Sequence, residues 1–321
     1  MTRALVDAFA GGGAVPLALL GGPAVVPPVG YMGGKRKLAT SILGAAGLRP
    51  GQGVERVLLV DAGEWGGVWS EVVRDGRGLA ERVLAWDGRD PSDLWRELAA
   101  AWRPDDPQER AAAYLWLQGR SASCTPVWWA EDGPERLVMS DKPGKRPQAA
   151  QESHPGPCGD AVERAARAPK EKGRRSAGSG IMRPSTVAAR ILCASAALRG
   201  AEVRVERRHL AAADVAAWLG TPGDMAGVVV YLDPPYVGAT RYGATCPRAD
   251  VVALAVEHAA LGARVLVSEA EALPELLALG WHALDLRAVT GRPGKPEWLT
   301  CSEPPDRLAW PAQLGLWAVA S

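Results

Sequence analysis

Asp233-Pro234-Pro235-Tyr236 place an acidic side chain, a rigid pair of prolines and an aromatic ring next to one another. A carboxylate can accept hydrogen bonds or a proton from a reacting group, so Asp233 is a candidate for acid–base chemistry. Proline has no backbone N–H, so Pro234 and Pro235 offer carbonyl acceptors without a competing donor. The plain alternative is a proline turn after a strand, in which Asp233 only caps the backbone.

The run that precedes this motif, from Val228 to Leu232, is apolar, rich in β-branched residues and ended abruptly by the two prolines. Such a run predicts a buried parallel strand. Asp233 then lies at the carboxyl end of that strand, and ligands of open α/β sheets bind at that edge. We therefore expect Asp233, Pro234, Pro235 and Tyr236 to belong to a functional site.

With these residues the sequence resembles the amino-group DNA methyltransferases, and among them the Dam-type adenine-N6 enzymes, whose catalytic motif reads Asp-Pro-Pro-Tyr. The resemblance implies that Asp233 and a proline carbonyl accept the hydrogens of an adenine amine, which is otherwise a poor nucleophile. It also implies that Tyr236 stacks on an adenine lifted out of the duplex. S-adenosylmethionine is the implied cofactor and methyl donor.

Two stretches near the start of the chain compete for the cofactor-binding role. The first is a strand from Ala4, a glycine turn to Gly13 and a short helix to Leu20. The second is a strand over residues 57–60, an acidic glycine turn at Asp61-Ala62-Gly63 and a helix to Val73. Both show the strand, glycine turn and helix arrangement that cradles nucleotides and phosphates.

The segment Gly30–Lys37 favours the second stretch. In Dam-type enzymes a Gly-Gly-Lys segment contributes to the cofactor pocket and precedes the glycine-turn strand by a similar interval. The phenylalanine of the family's glycine-turn motif is absent from the second stretch. The first stretch therefore stays open as the cofactor turn, or it is simply an extra strand and helix. The cofactor contacts that the resemblance implies are Tyr31, Gly33, Gly34, Lys35, Asp61, Gly63, Asp214 and Asp233.

Composition limits the classes of partner, cofactor and location that this chain can have. The chain has 321 residues and a formal net charge of +1, so any DNA-binding surface must be a local patch. Its five cysteines are scattered without a C-x-x-C pair, which favours a reducing cytoplasm over a zinc site or a disulfide framework. Glycines and prolines interrupt the apolar start, which argues against a signal peptide and a membrane span. We expect a cytoplasmic, metal-free monomer.

The middle of the chain predicts an insertion that reads the substrate. A helix from Pro107 runs into a polar loop, and Trp128 and Trp129 beyond it are either hydrophobic plugs or stacking surfaces for unpaired bases. From Asp141 to Arg183 the chain is rich in Pro, Gly, Ser and cations, which is typical of a solvated linker or a DNA-backbone contact. The expected DNA contacts are Arg120, Lys170, Lys172, Arg174 and Arg175, together with Arg241 and Tyr242 in the loop after the catalytic motif.

The second half continues the alternation of helices and strands that builds a parallel sheet. Asp214 is expected either to contact the adenine end of the cofactor or to cap a helix over 215–219. A closing hairpin, joined through Arg292–Pro296, resembles that of the methyltransferase fold. The other expected elements are helices over 186–198 and 249–261 and strands over 203–206 and 263–268.

These features predict an α/β, Rossmann-like, S-adenosylmethionine-dependent methyltransferase fold with an inserted target-recognition region. Residues 1–105 would form its cofactor side, 106–184 the DNA-binding insertion and 185–321 the catalytic part. The expected activity is adenine-N6 methylation of double-stranded DNA, and a partner nuclease of a restriction–modification system stays open. Two alternatives stay open: transfer to cytosine N4, for which serine in place of Asp233 is commoner, and a DNA-binding protein on a decayed methyltransferase scaffold.

Overall fold

A computed structural model describes much of the chain outside the predicted insertion. The described residues are 2–30, 35–90, 93–94, 97–98, 104–120, 129–130, 133–134, 183–208, 210–221, 223–235, 246–286 and 296–305.

A seven-stranded sheet forms the centre of the molecule. Its strands are, in chain order, β1 (Ala4–Asp7), β2 (Arg56–Val60), β5 (Glu202–Glu206), β6 (Val228–Leu232), β7 (Arg264–Glu269), β8 (His282–Asp285) and β9 (Trp298–Cys301). Two further short strands, β3 (Trp129–Ala130) and β4 (Gly133–Pro134), pair with each other as a separate antiparallel ribbon.

The order of the large sheet is β5-β2-β1-β6-β7-β9-β8. Strands β1, β2, β5, β6 and β7 are parallel, and only β9 pairs antiparallel with β7 and with β8 within the described sheet. The chain first adds strands on one side of β1 and then crosses to add the rest on the other side. The topological switch point therefore lies between β1 and β6, which is where doubly wound sheets bind ligands.

Helices cover both faces of the sheet, so the prediction of an open α/β sheet is confirmed and the architecture is compatible with a Rossmann-like fold. One face packs against α1 (Ala14–Gly21), α2 (Ala39–Ala45), α3 (Glu64–Leu84), α4 (Pro107–Arg120) and α5 (Pro184–Leu198). The other packs against α6 (Ala212–Trp218), α7 (Arg248–Ala260) and α8 (Pro274–Leu277). Coverage on both faces explains why β1 and β6 are apolar and buried along most of their length.

The helices after β2 differ from the sequence prediction. The helix expected to end at Val73 continues as α3 to Leu84, across a kink at Asp75 where φ is −154° and ψ is 69°. A separate helical segment starts at Asp90, whose Oδ1 accepts the backbone N–H of Asp93 at 3.0 Å. Helix α3 continues beyond the kink because it packs against α5. The local sequence pattern does not reveal this contact.

Helix α4 opens the segment that was predicted as an insertion, and it packs into the same core as the sheet. Tyr114 is 2% exposed, and its ring meets that of Trp65 edge-on at a centroid distance of 5.9 Å. The aromatic character of α4 therefore serves the core of the protein over the residues whose burial is described.

The prediction for the helix near Asp214 was wrong in its boundary. Helix α6 begins at Ala212 rather than 215, because the alanines that precede Val215 favour helix. Asp214 therefore lies inside the first turn and does not cap the helix; an acidic side chain there interacts favourably with the helix dipole. The predicted closing hairpin is confirmed as the antiparallel pair β8 and β9.

Among the residues that the structure describes, no helix combines the length and the apolar character needed to span a bilayer.

The close packing of α3 on α5 generates a stability prediction. A Cβ atom at Gly76 would lie 2.5 Å from the Cβ of Ser195, so Gly76→Ala overpacks this contact and should cost about 1–3 kcal/mol of unfolding free energy. The matched control is Gly67→Ala in the same helix, where the nearest atom is Arg207 Cζ at 3.8 Å. That change should be neutral or stabilising by up to about 1 kcal/mol. Urea unfolding measures both; equal effects would contradict the packing argument.

Candidate functional site

The carboxyl ends of β1 and β6 bring two carboxylates to the switch point. Asp7 is the last residue of β1, and Asp233 follows the last residue of β6. The two strand ends are tied together, since the backbone N–H of Ala8 donates to the carbonyl oxygen of Tyr231 at 2.9 Å. The structure therefore confirms that Asp233, Pro234 and Pro235 follow a buried strand at the carboxyl edge of the parallel sheet.

The glycine turn after β1 lies beside this edge. Gly11 and Gly13 have φ values of 44° and 64°, which side-chain-bearing residues rarely adopt. Trp69 of α3 donates its indole N–H to the carbonyl of Gly11 at 2.7 Å, and a Cβ on Gly13 would lie 2.5 Å from the Trp69 ring. The turn is thus held against α3, and its path requires glycine.

Asp61 joins the two stretches that competed for the cofactor role. It directly follows β2, and its Oδ2 accepts the N–H of Gly11 at 2.9 Å while its Oδ1 accepts the N–H of Gly63 at 2.8 Å. Burial raises the pKa of Asp61, although the N–H groups of Gly11, Gly63 and Gly66 oppose that effect. The turn at Asp7–Gly13 and the turn at Asp61–Gly63 are therefore joined in one hydrogen-bonded arrangement.

Lys35 enters the site from the 3-10 turn Lys35–Lys37. Its ammonium lies 2.8 Å from Asp233 Oδ1 and 3.3 Å from Glu297 Oε1, and its side chain is only 5% exposed. Burial lowers the pKa of Lys35, but the charges of Asp233 and Glu297 outweigh that effect and raise it. Lys35 is therefore buried and ion-paired beside Asp233 rather than solvated.

Asp7 is the most unusual carboxyl group of the site. It is 2% exposed, and its Oδ1 has no hydrogen-bond partner among the described residues. Burial raises its pKa well above the ordinary value, and the negative charges of Asp233 and Asp61 raise it further. A buried acceptor of this kind is costly unless a ligand or solvent satisfies it.

Asp233 has a pKa of about 6, because burial raises it while Lys35 pulls it back. Glu269, at the end of β7, has a pKa of about 7, mainly through burial, with a further rise from the charge of Asp233. Its carboxylate accepts the N–H of Ala270 at 3.0 Å. The candidate site is therefore rich in carboxyl groups whose ionised forms are disfavoured.

Sequence reasoning did not assign Glu269 or Glu297 to the site. Glu269 ends a strand next to β6, and that signal was present in the βα alternation. Glu297 reaches the site only because β9 runs in reverse, and a single sequence does not show the direction of a strand.

Several predicted site residues are not brought to this cluster. Asp214 is exposed and follows β5, the edge strand two positions from β1, where it lines a surface cleft with Arg208 and Trp218. The following predicted residues lie outside the described residues: Tyr31, Gly33, Gly34, Lys170, Lys172, Arg174, Arg175, Tyr236, Arg241 and Tyr242. Arg120 ends α4, and its side chain is likewise outside the described part.

A scan against protein-family models found no matching family, and a search of curated proteins found no matching relative. The assignment of a function therefore depends on the geometry and chemistry of the site.

The burial of Lys35 generates a prediction for stability and its pH dependence. Lys35→Met leaves Asp233 and Glu297 without their shared cation, which should cost about 3–5 kcal/mol of unfolding free energy at pH 8. The pKa of Asp233 then rises above about 6 in the folded state, so the folded protein holds a proton that the unfolded chain releases. Stability is lost as pH rises through that range, and the cost should be smaller at pH 5.

Urea unfolding at pH 5 and pH 8 measures this difference. Lys37→Met, at an exposed position of the same turn, is the matched control for the loss of one lysine charge. A cost that is the same at both pH values, or no larger than that of the control, would show that Lys35 does not compensate these carboxylates.

Proposed function

We propose that the protein is an S-adenosylmethionine-dependent DNA methyltransferase that acts on the N6 amine of adenine. The observation that carries the proposal is the position of Asp233-Pro234-Pro235 at the switch point of a doubly wound sheet. There the Asp233 carboxylate is ion-paired with buried Lys35, and the glycine turn after β1 lies next to it. The antiparallel pair β8 and β9 at the end of the sheet adds to the likeness in fold.

The acidic side chains fit a cationic cofactor. S-adenosylmethionine carries a positive sulfonium and a positive ammonium group, and bound here it supplies an electrophilic methyl group. Asp7 presents a buried oxygen without a partner among the described residues, which is what an ammonium or sulfonium group requires. A bound cation would also relieve the mutual repulsion that raises the pKa of Asp7.

The glycine turn and Asp61 suit the nucleoside part of such a cofactor. Positive-φ glycines at Gly11 and Gly13 let the backbone approach a ligand closely. In doubly wound folds an acidic residue at the end of the second strand hydrogen-bonds a ribose, and Asp61 follows β2 in that position. We therefore assign both turns to the cofactor, with Asp7–Gly13 at the switch point and Asp61–Gly63 beside it.

Asp233 is suited to accept hydrogen from the substrate amine. Lys35 occupies its Oδ1 and favours its ionised form, so the carboxylate retains further acceptor capacity for a donor. The prolines that follow have no backbone N–H, and their carbonyl oxygens can accept a second amine hydrogen. Hydrogen bonds accepted from the amine increase the lone-pair density on its nitrogen. Methyl transfer should therefore require ionised Asp233 and decline below about pH 6.

The choice of DNA as substrate rests on the sequence motif and on the basic segment between α4 and α5. Both of these helices pack against α3, so the predicted insertion begins and ends on the cofactor side of the molecule. Its cations, if they contact phosphates, provide affinity without sequence information.

The first test of this proposal removes the acceptor. Asp233→Ala should lower methyl transfer to double-stranded DNA by about 10²- to 10⁴-fold, the usual contribution of a positioned acid–base group. Transfer is measured with radiolabelled cofactor, followed by mass spectrometry of nucleosides, which separates N6-methyladenine from N4-methylcytosine. Binding of DNA should be nearly retained. Asp87→Ala, at an exposed turn after α3, is the control; unchanged transfer in Asp233→Ala would refute the assigned role.

The second test concerns Asp7 and uses calorimetry without any turnover. Asp7→Asn should weaken S-adenosylmethionine binding by about 10- to 100-fold, which corresponds to about 1.4–2.7 kcal/mol. S-adenosylhomocysteine lacks the sulfonium charge but keeps the ammonium group. Equal weakening of both ligands places the ammonium at Asp7, and weakening of S-adenosylmethionine alone places the sulfonium there. Absence of binding by the unmodified protein at millimolar cofactor would overturn the enzyme proposal.

A further inference from the structure

Glu297 comes to the site because the strand that follows it is reversed. Strand β9 runs antiparallel to β7, and Trp298 lies opposite Glu269, the last residue of β7. The residue before Trp298 therefore lies at the edge where the parallel strands end. The N–H of Leu286 donates to the carbonyl of Glu297 at 2.9 Å, which extends the β8–β9 pairing and fixes the backbone at this position.

Glu297 and Asp233 share one ammonium group. Lys35 Nζ lies 2.8 Å from Asp233 Oδ1 and 3.3 Å from Glu297 Oε1, and the two carboxylates are 17% and 16% exposed. An ammonium has three donors in fixed tetrahedral directions, so two carboxylates on different donors hold it at a defined point. Glu297 therefore restrains the Lys35 ammonium together with Asp233.

The charges that face Asp233 come from several elements of the fold. Lys35 favours its ionised form, whereas Glu297 disfavours it. Asp7 at the end of β1 and Glu269 at the end of β7 are also coupled to Asp233, and Asp61 is coupled to Asp7. Within this set Glu297 is distinctive, because it competes directly for the ammonium that Asp233 binds.

We propose that Glu297 is a positioning residue for the transfer reaction. By sharing Lys35 with Asp233, it prevents the lysine from binding the Asp233 carboxylate fully, so that this carboxylate stays available to the substrate amine. This inference rests on the function proposed above. Glu297 acts through Lys35 and does not itself contact the reacting atoms.

Replacing Glu297 by glutamine preserves the size of the side chain and removes its charge. In Glu297→Gln, Lys35 keeps its pairing with Asp233 while the negative charge of Glu297 is lost, so the pKa of Asp233 should fall from about 6 by roughly one unit. The acidic limb of the rate profile should move to lower pH by the same amount. The plateau kcat should fall about 10-fold, with KM for DNA within about 2-fold, since the loss falls on the reacting group. Glu297→Asp should restore part of kcat.

Two readouts on the full chain separate this inference from the proposed function. The first is the titration of aspartate side chains labelled with ¹³C at the carboxyl carbon, with the Asp233 signal assigned by its absence in Asp233→Asn. The second is the pH dependence of kcat/KM. The control is Glu303→Gln, which lies beyond the other end of β9 and pairs with Arg264 rather than Lys35.

A downward shift of both the titration and the acidic limb in Glu297→Gln, but not in Glu303→Gln, supports the proposal. An unshifted Asp233 titration overturns it, whatever happens to the rate. A fall in kcat without a shift of the acidic limb also overturns it, since that pattern indicates a structural role. If the titration shifts while the unmodified protein transfers no methyl group to DNA, the coupling of Glu297 to Asp233 stands and the proposed function fails.

Discussion

The buried ion pair between Lys35 and Asp233 is the interaction on which the candidate site depends. Asp233 follows a strand with helices on both faces of its sheet, where desolvation disfavours a charged carboxylate. Lys35 offsets that effect, and Glu297 binds the same ammonium group. The pair thereby links three segments that are far apart in the chain: the turn after α1, the end of β6 and the start of the reversed β9.

The sheet topology explains why these segments meet. Because the chain adds strands first on one side of β1 and then on the other, the connections that leave β1 and β6 run in opposite directions, which opens a gap between these strands at their carboxyl ends. Asp7 and Asp233 lie on the two sides of this gap. Asp61 and Trp69 then hold the glycine turn of β1 in place through hydrogen bonds to Gly11, so the floor of the site is ordered by contacts to α3 and β2.

The electrostatics of the edge suggest what kind of ligand belongs there. Burial raises the pKa of several carboxyl groups, and neighbouring carboxylates raise the pKa of Asp7 and Glu269 further. Asp7 also has an oxygen without a partner in the described part of the chain. Such an arrangement is unfavourable for the isolated protein, and perturbed groups of this kind cluster at functional sites. A cationic cofactor would stabilise this cluster of carboxyl groups. The proposed cofactor would therefore also offset an electrostatic cost of the folded protein.

The sequence by itself determined the strand that ends at Asp233 and the parallel α/β architecture, because an apolar β-branched run followed by two prolines is a local signal. It also singled out Lys35 and Asp61. Only the tertiary structure decided how these residues combine: it joined the two glycine turns through Asp61, left Asp7 buried, and placed Asp214 in the first turn of a helix beyond the edge strand. It also recruited Glu297, because strand order and strand direction arise from long-range pairing that a local pattern does not encode.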